Sequence, residues 1–317
     1  MISGIINIHK EAGMTSFDVV SAMRRIAGQR KVGYTGTLDP DATGVLPVCL
    51  GTATKVCDLL TDARKTYEAD MLLGVETDTQ DVGGQVLHTA QVCVDEEHVR
   101  DAVLSFLGEY DQIPPMYSAK HVDGRRLYEL ARQGLVVDRP ASRVCVYAIE
   151  ILQMALPHVT FRVTCSRGTY IRTLIYDIGR KLGCGACMYS LSRTAVGSFL
   201  LEHAVLLKDA ERYFADGREN EIITGADELF GQYPAYRVGE HEKALRNGNL
   251  IRPGWLIPCG AKTVANWKET FLDNRKSPAS DPRLPIRLYL EDGTFAALYH
   301  FIREEGVYRP EKMFLTQ

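Results

Sequence analysis

Apolar residues recur along the first 200 positions with two different periods, one typical of strands and one typical of helices. Alternating or short apolar runs predict strands over residues 4–8, 65–74, 158–165 and 191–194. A spacing of three to four residues predicts helices over residues 95–107, over 126–133, and up to Leu182. A further helix is predicted to begin at Thr15–Ser16, where a hydroxyl caps its first turn, and to end at Gly28.

Residues 31–47 interrupt this pattern with three glycines and two prolines. Such a density predicts a shaped loop. Pro40 disfavours a helical conformation at Asp39, and Gly36 and Gly44 suit positive φ or a close approach of another backbone. Residues 45–50 then form a continuous apolar run, which fits either a buried strand or a short apolar helix.

The composition changes near residues 230–234. Short apolar runs separated by glycine and proline follow, and they predict a small β domain. Residues 267–285 are polar and contain three prolines, which predicts a loop or insertion.

The composition indicates an ordinary soluble protein: 45% of the 317 residues are hydrophobic and 24% are charged. No apolar run approaches the roughly 20 residues that a membrane span needs, and the N-terminus lacks a secretory pattern. The eight scattered cysteines indicate reduced thiols in a cytoplasmic protein. The single C-x-x-C at Cys184 and Cys187 has no second ligand pair at a suitable spacing, so we expect no metal there.

The net charge of −3 argues against indiscriminate binding of nucleic acid, but the charge is uneven. Six basic residues face one acid between positions 162 and 193, and six face three acids between 120 and 143. Eight acids face three bases between 202 and 228. A basic face of this kind suits binding of one folded RNA, although basic residues also solvate helix surfaces.

Asp39 is the first candidate catalytic residue. A carboxylate on a glycine-flanked loop beside an apolar element suits a nucleophile or base. The alternative is a plain turn residue, because Asp-Pro is common turn chemistry.

The run G-Y-T-G-T-L-D-P-D-A-T-G-V-L-P at residues 33–47 resembles the active-site motif of the bacterial tRNA pseudouridine-55 synthases, the TruB family. The resemblance implies that Asp39 is the catalytic residue. Tyr34 stands where that family usually has His, and we expect it to fill the space left by a flipped base.

Three further segments carry the same resemblance. K-T-Y at residues 65–67 implies that Tyr67 lines the uracil pocket, whereas without the family it would read equally well as an ordinary strand aromatic. C-S-R-G-T-Y-I-R-T-L at residues 165–174 implies that Tyr170 forms the pocket wall and that Arg172 lies beside the catalytic Asp. The alternative for Arg172 is a phosphate contact. Residues 112–124 resemble the start of the family's RNA-clamping insertion, expected here near 112–143.

The resemblance implies an α+β pseudouridine synthase fold around a largely antiparallel mixed sheet, over residues 1–230. A PUA-like RNA-binding β domain is expected over residues 231–317. The implied reaction isomerises uridine 55 in the T-loop of tRNA to pseudouridine after the base is flipped out. Asp39 would attack the ribose C1′, attack the uracil C6 or abstract a ribose proton; the sequence leaves these routes open.

No cofactor and no metal are implied. The expected partner is the T-arm of tRNA, with no membrane and no obligatory protein partner, and the protein is expected to be a monomer. Two alternatives share the scaffold: a non-catalytic RNA-binding or tRNA-folding protein, and a synthase that depends on a guide RNA.

Overall fold

The structure, a computed structural model, describes residues 1–118, 120–122, 124–259 and 284–315. The first elements in chain order are β1 (Gly4–Lys10), α1 (Ser16–Ile26), β2 (Val32–Tyr34), β3 (Thr43–Leu50), α2 (Cys57–Asp62), β4 (Lys65–Leu73), β5 (Val75–Thr77), β6 (Val86–Thr89), α3 (Glu96–Leu104), β7 (Gly108–Gln112), β8 (His121–Val122), β9 (Arg125–Arg126) and α4 (Leu127–Arg132). They are followed by β10 (Ser142–Ala155), β11 (His158–Cys165), α5 (Ile171–Leu182), β12 (Ala186–Val196), β13 (Phe199–Leu200), α6 (Leu207–Ala215), β14 (Ile223–Thr224), β15 (Ala235–Arg237), α7 (Glu242–Arg246), β16 (Ile257–Pro258), β17 (Ile286–Tyr289), β18 (Phe295–Ile302) and β19 (Val307–Met313).

A large mixed sheet organises the first part of the chain. Its strand order is β14-β1-β3-β12-β4-β11-β10-β7, with β2 added alongside β3 and β13 alongside β12. The strands pair antiparallel except for β3 and β12, which run parallel where Thr43 and Gly44 meet Ser192 and Arg193. The predicted α+β class with a largely antiparallel mixed sheet is therefore confirmed.

Helices α3 and α5 cover one face of this sheet. Strand β4 alternates buried and half-buried residues along its whole length, which is the pattern of a strand with one covered face. Ile175 and Ile178 of α5 and Val99 of α3 pack into the same apolar cluster as Met71 and Phe161. The site described below lies where the N-terminus of α5 meets the β2–β3 loop.

Helix α1 covers another part of the sheet, beside β1 and β3. Its start follows the predicted pattern: the Thr15 hydroxyl accepts from the Asp18 amide, and the Asp18 carboxylate accepts from the Thr15 amide. These reciprocal bonds satisfy amide groups that have no partner within the helix. Val19 and Met23 are fully buried against Ile6 and Leu46.

A second, smaller sheet follows, in the order β16-β15-β17-β18-β19. Its own apolar cluster includes Leu288, Ala297 and Tyr299. A separate apolar cluster joins the two sheets. In it, Leu298 and Phe314 of the C-terminal part pack with Val56 and Phe230, which precede the second sheet in the chain. The small C-terminal β domain predicted from the short apolar runs is therefore present.

Strand β10, helix α6 and strand β19 are among the elements that were not predicted from the sequence. The apolar run at residues 45–50 is a strand, which removes the helical alternative. Residues 267–283 of the predicted loop or insertion lie outside the described residues. No helix in the described ranges is long and apolar enough to cross a membrane.

Candidate active site

The loop between β2 and β3 carries Asp39, and backbone geometry explains its two glycines. Gly36 has φ +66° and Gly44 has φ +108°, both in the region that favours glycine. A Cβ on Gly44 would also collide with the backbone carbonyl oxygen of Arg193. Gly44 is thus the point where β3 and β12 approach closely, as the sequence predicted for one of these glycines.

Side chains from two other elements hold the loop in place. Lys10, fully buried at the end of β1, donates to the carbonyl oxygens of Pro40 at 2.8 Å and Ala42 at 2.7 Å. Ser16, the first residue of α1, accepts from the Leu38 amide at 2.9 Å. These bonds fix the backbone on both sides of Asp39, and burial lowers the pKa of Lys10.

Arg172 forms a two-point ion pair with Asp39. Its Nε lies 2.9 Å from Asp39 Oδ2, and its Nη2 donates to Asp39 Oδ1 at 3.1 Å. The Arg172 side chain is buried, whereas the Asp39 side chain is 41% exposed. The pair therefore fixes the direction of the carboxylate and leaves part of it open to a substrate.

The other donors of Arg172 connect two more loops to the site. Nη1 donates to the Thr79 carbonyl at 2.9 Å, and Nη2 also donates to the Tyr117 carbonyl at 3.0 Å. A second carboxylate, that of Asp81, lies 3.7 Å from Nη1. Arg172 thus joins the Asp39 loop, the loop after β5 and the segment that precedes α4. The alternative that Arg172 contacts phosphate is not supported by this geometry, because its donors are already occupied.

Tyr67 lies on β4 directly opposite Arg193 of β12 and is largely buried. Burial raises the pKa of the Tyr67 hydroxyl, and the charge of Arg193 opposes that rise. The Asp39 carboxylate lies near enough to raise the same pKa slightly further. Tyr67 therefore lies within electrostatic reach of both Arg193 and Asp39.

Two buried cations lie beneath the loop. The fully buried Arg193 donates Nε to the Val45 carbonyl at 2.7 Å and Nη2 to the Gly36 carbonyl at 3.0 Å. Lys65 donates to the carbonyls of Thr61 and Ala63, and burial lowers its pKa to about 8. The side chains of Arg193 and Lys65 thus donate hydrogen bonds to backbone carbonyl oxygens in and near the Asp39 loop.

Tyr170 and Tyr34 lie on the segments that carry Arg172 and lead to Asp39, respectively. Tyr170 precedes α5, and its backbone is held on both sides by the Gln112 amide group, at 2.8 and 3.0 Å. Tyr34 ends β2, is half-buried, and places its hydroxyl 3.4 Å from Thr37 Oγ1.

Lys10, Asp81 and Arg193 make contacts in the site that were not predicted from the sequence. Each is a charged residue beside or within an apolar strand or polar loop, and no hydrophobic pattern predicted its contact near Asp39. The one available signal for Lys10 was a lysine two residues after the apolar run 4–8.

The basic stretch 162–193 does not form one surface. Arg172 and Arg193 are buried, and Arg162 is paired with Glu68 at 2.7 Å and Glu150 at 2.9 Å. Arg167 is paired with Asp62. The prediction of one basic face across this stretch is therefore wrong, because the folded chain turns its basic side chains in different directions.

In the stretch 120–143, by contrast, Arg125, Arg126 and Arg132 are exposed around β9 and α4. The pKa of Arg126 is raised, chiefly by the Tyr128 hydroxyl and in small part by Tyr34. Arg126, within the predicted clamping segment, thus lies within electrostatic reach of Tyr34.

A mixed sheet with a buried Arg that orients a partly open Asp on an anchored loop defines the class: the chain has the fold of the pseudouridylate synthases. Its structure is similar to the matching chain in "Structure of H/ACA RNP bound to a substrate RNA containing 2'-deoxyuridine", with a TM-score of 0.68 and 25% identity over 99% of this chain and 85% of that one. It is also similar to a chain of a Cbf5-Nop10-Gar1 complex, with a TM-score of 0.69 and 26% identity over 98% and 85%.

The protein belongs to the TruB family. Residues 24–171 match the N-terminal domain of the TruB family pseudouridylate synthases, and residues 172–230 match the C-terminal domain of tRNA pseudouridylate synthase B. The tRNA pseudouridine synthase B of Clostridium acetobutylicum is 47% identical over 81% of this chain and 88% of its own length. That of Clostridium perfringens is 44% identical over the full length of both chains.

Proposed function

We propose that this protein isomerises uridine 55 in the T-loop of tRNA to pseudouridine, and that Asp39 is its catalytic carboxylate. The observation that carries the proposal is the two-point ion pair from the buried Arg172 to a partly exposed Asp39. The names of the relatives support tRNA as the substrate, because tRNA pseudouridine synthase B from Clostridium novyi is 43% identical over 94% of this chain.

The reaction needs no net change in the atoms of the base. The N1–C1′ bond breaks, the uracil turns, C5 bonds to C1′, and the proton on C5 leaves while N1 gains one. Asp39 begins this sequence by attacking C1′, by attacking C6 or by taking a ribose proton. The fixed direction of its carboxylate serves each route, because the reacting atom must meet it at one position.

Tyr67 and Tyr170 supply the pocket for the flipped uracil in this proposal. An aromatic ring suits an extruded base because every base offers a face for stacking, worth about 1–3 kcal/mol. We also assign to the Tyr67 hydroxyl the handling of the C5 proton. Arg172 orients Asp39, and Tyr34 fills the space that the flipped base leaves in the T-loop.

We assign the catalytic domain to residues 1–230 and a PUA-like RNA-binding domain to residues 231–317. In support, β14 is the last strand of the large sheet and β15 the first of the small one. Residues 112–143 would clamp the RNA through the exposed arginines near Tyr34. We further propose that the protein acts in the cytoplasm as a monomer, without an obligatory protein partner.

Dependence on a guide RNA is the second candidate, favoured by the similarity to the chain from an H/ACA RNP. The chain is 43–47% identical to the tRNA pseudouridine synthases B, but only 25–26% identical to the chains from the RNP structures. This difference favours modification of tRNA without a guide RNA.

The test incubates the purified protein alone with an unmodified tRNA transcript and maps pseudouridine by chemical modification. We expect one modified site, at position 55, and none when uridine 55 is replaced by cytidine. Modification that appears only after a guide RNA is added would support the second candidate. RNA binding without any pseudouridine would support a non-catalytic protein.

A further inference from the structure

A groove beside Tyr34 is lined by none of the residues Asp39, Tyr67, Tyr170 and Arg172. It has a volume of about 490 Å³ and lies between helix α1, the turn that follows this helix, strand β2 and the segment after β3. Its lining includes Tyr34, which ends the strand that leads into the Asp39 loop. Phe17, Arg24, Arg30 and Lys31 also line it.

The charge of the groove is entirely positive. Arg24, Arg30 and Lys31 are exposed, and in the described part of the chain none of them has a carboxylate partner within salt-bridge distance. No acidic side chain belongs to the described residues that line the groove. Arg25, next to Arg24 on the same helix, points elsewhere and pairs with Glu211 at 2.7 Å.

An aromatic ring stands among these cations. Phe17 is 58% exposed, although phenylalanine usually has little exposed area in a folded protein. The Arg24 guanidinium lies 5.8 Å from the centre of its ring. Exposed rings beside unpaired cations are the means by which proteins hold unpaired nucleotides, with stacking for the base and charge for the phosphate.

We propose that this groove is a second nucleotide subsite, which binds an unpaired base of the RNA on Phe17 and the adjoining phosphodiester on Arg24, Arg30 and Lys31. This inference rests on the proposed function, because Tyr34 lines the groove and also ends the strand that leads into the Asp39 loop. The nucleotide in the groove is therefore a loop neighbour of the target. It is bound throughout the reaction and does not take part in the chemistry.

The test measures two quantities for each variant with an unmodified tRNA transcript: the Kd at several salt concentrations, and the single-turnover rate at saturating enzyme. Arg24→Gln and Arg30→Gln should each raise Kd about three- to tenfold and reduce the salt dependence by about one phosphate contact. Phe17→Ala should raise Kd about five- to hundredfold, the effect of one lost base stack. The single-turnover rate should change less than about twofold.

Two matched controls are available in the chain. Arg25→Gln removes a neighbouring arginine that is already paired outside the groove. Leu107→Ala removes an apolar side chain of similar exposure, 56%, far from the groove. Both should leave Kd and its salt dependence at parental values. Equal effects of Arg24→Gln and Arg25→Gln, or an unchanged Kd for Phe17→Ala, would overturn the proposal.

A crosslinking experiment locates the nucleotide. With a photoreactive benzoyl group on the ring at position 17, we expect crosslinks to T-loop nucleotides next to the target uridine. Crosslinks confined to the acceptor stem or the anticodon arm would overturn the proposal. Kd and crosslinking measure RNA binding, so they can be interpreted even if no pseudouridine forms. In that case the proposed function fails, and the binding measurements still decide whether the groove holds a nucleotide.

Discussion

At the scale of single residues, the site combines a fixed acid with a less constrained phenol. Arg172 holds Asp39 at two points, whereas no comparable set of bonds holds the side chain of Tyr67 in the described structure. We infer that the carboxylate is pre-oriented for the reaction. Pre-orientation lowers the cost of reaching the reactive geometry.

Substitutions of Tyr67 should separate stacking from proton transfer. Tyr67→Phe keeps the ring, so we expect parental tRNA affinity with a large loss of single-turnover rate. Tyr67→Ala also removes the ring from a buried position and should lose most activity, together with about 3–5 kcal/mol of unfolding free energy. Affinity, rate and denaturant unfolding measured on both variants test this. Full activity of Tyr67→Phe would limit Tyr67 to a structural role.

Substitutions of Tyr34 test its proposed stacking role. Tyr34→His and Tyr34→Phe should stay near parental activity, because each keeps a flat ring. Tyr34→Ala should lose about 1–3 kcal/mol in kcat/KM, the worth of one stacked base. The measurement is the rate–pH profile of the parent and of Tyr34→His. A new titration near pH 6.5 in the His variant, with a large change in rate, would show proton transfer at this position.

The sequence predicted some contacts of the site and missed others for a physical reason. Asp39 and Arg172 are 133 residues apart, and their proximity was expected from the family motifs on which both lie. The burial of Lys10 and Arg193 was not predicted, because single charged residues usually lie on the surface. Only the packing of β1 and β12 around the loop shows that these cations bind backbone carbonyls.

At the scale of elements, the parallel contact between β3 and β12 supports the Asp39 loop. Arg193 bridges both ends of the loop by donating hydrogen bonds to the carbonyl oxygens of Gly36 and Val45, and Gly44 lets the two strands meet. Displacement of β12 at this point would therefore move the backbone that carries Asp39.

Gly44→Ala should disrupt this contact. The added methyl group meets the Arg193 backbone at a positive φ, so we expect a loss of more than about 2 kcal/mol in unfolding free energy and a strong loss of activity. Gly306→Ala is the control, since Gly306 also has positive φ but has open space around it. It should lose only the conformational cost of about 1 kcal/mol. Equal stability of the two variants would show that the close approach is unimportant.

Hydrophobic periodicity predicted the elements whose two faces differ clearly in burial. Strands β4 and β11 alternate in burial and were expected from their sequences. Strand β10 was missed because it carries two register shifts, near residues 146–148 and 151–153, which break the alternation of buried positions. Helix α6 was missed because only Ala210 is fully buried within an acidic stretch.

At the scale of the whole molecule, the two sheets share an apolar cluster. Phe314 packs against Phe295 with ring centres 4.6 Å apart and against Phe230 at 6.1 Å. Lys312 adds an ion pair to Asp58 at 2.7 Å. A shared cluster of this kind couples the unfolding of both parts.

Phe314→Ala should weaken that coupling. Loss of a buried aromatic ring typically costs about 3–5 kcal/mol, so we expect lower stability and separate unfolding transitions for the two sheets. Denaturant unfolding followed by two spectroscopic probes measures this. Leu250→Ala, at an exposed position, should change stability by less than about 0.5 kcal/mol. A Phe314→Ala protein that unfolds like the Leu250→Ala control would show that the sheets are independent.

The central claim is that Asp39 carries out the isomerisation of uridine 55. The most direct measurement compares the parent with Asp39→Asn under single-turnover conditions, using tRNA labelled with tritium at C5 of uridine, which loses its label when C5 bonds to ribose. We predict release of one label per tRNA by the parent, no release by Asp39→Asn, and tRNA affinities within about tenfold of each other, or 1.4 kcal/mol. Release by an Asp39→Asn protein shown to be free of deamidated enzyme would contradict the claim.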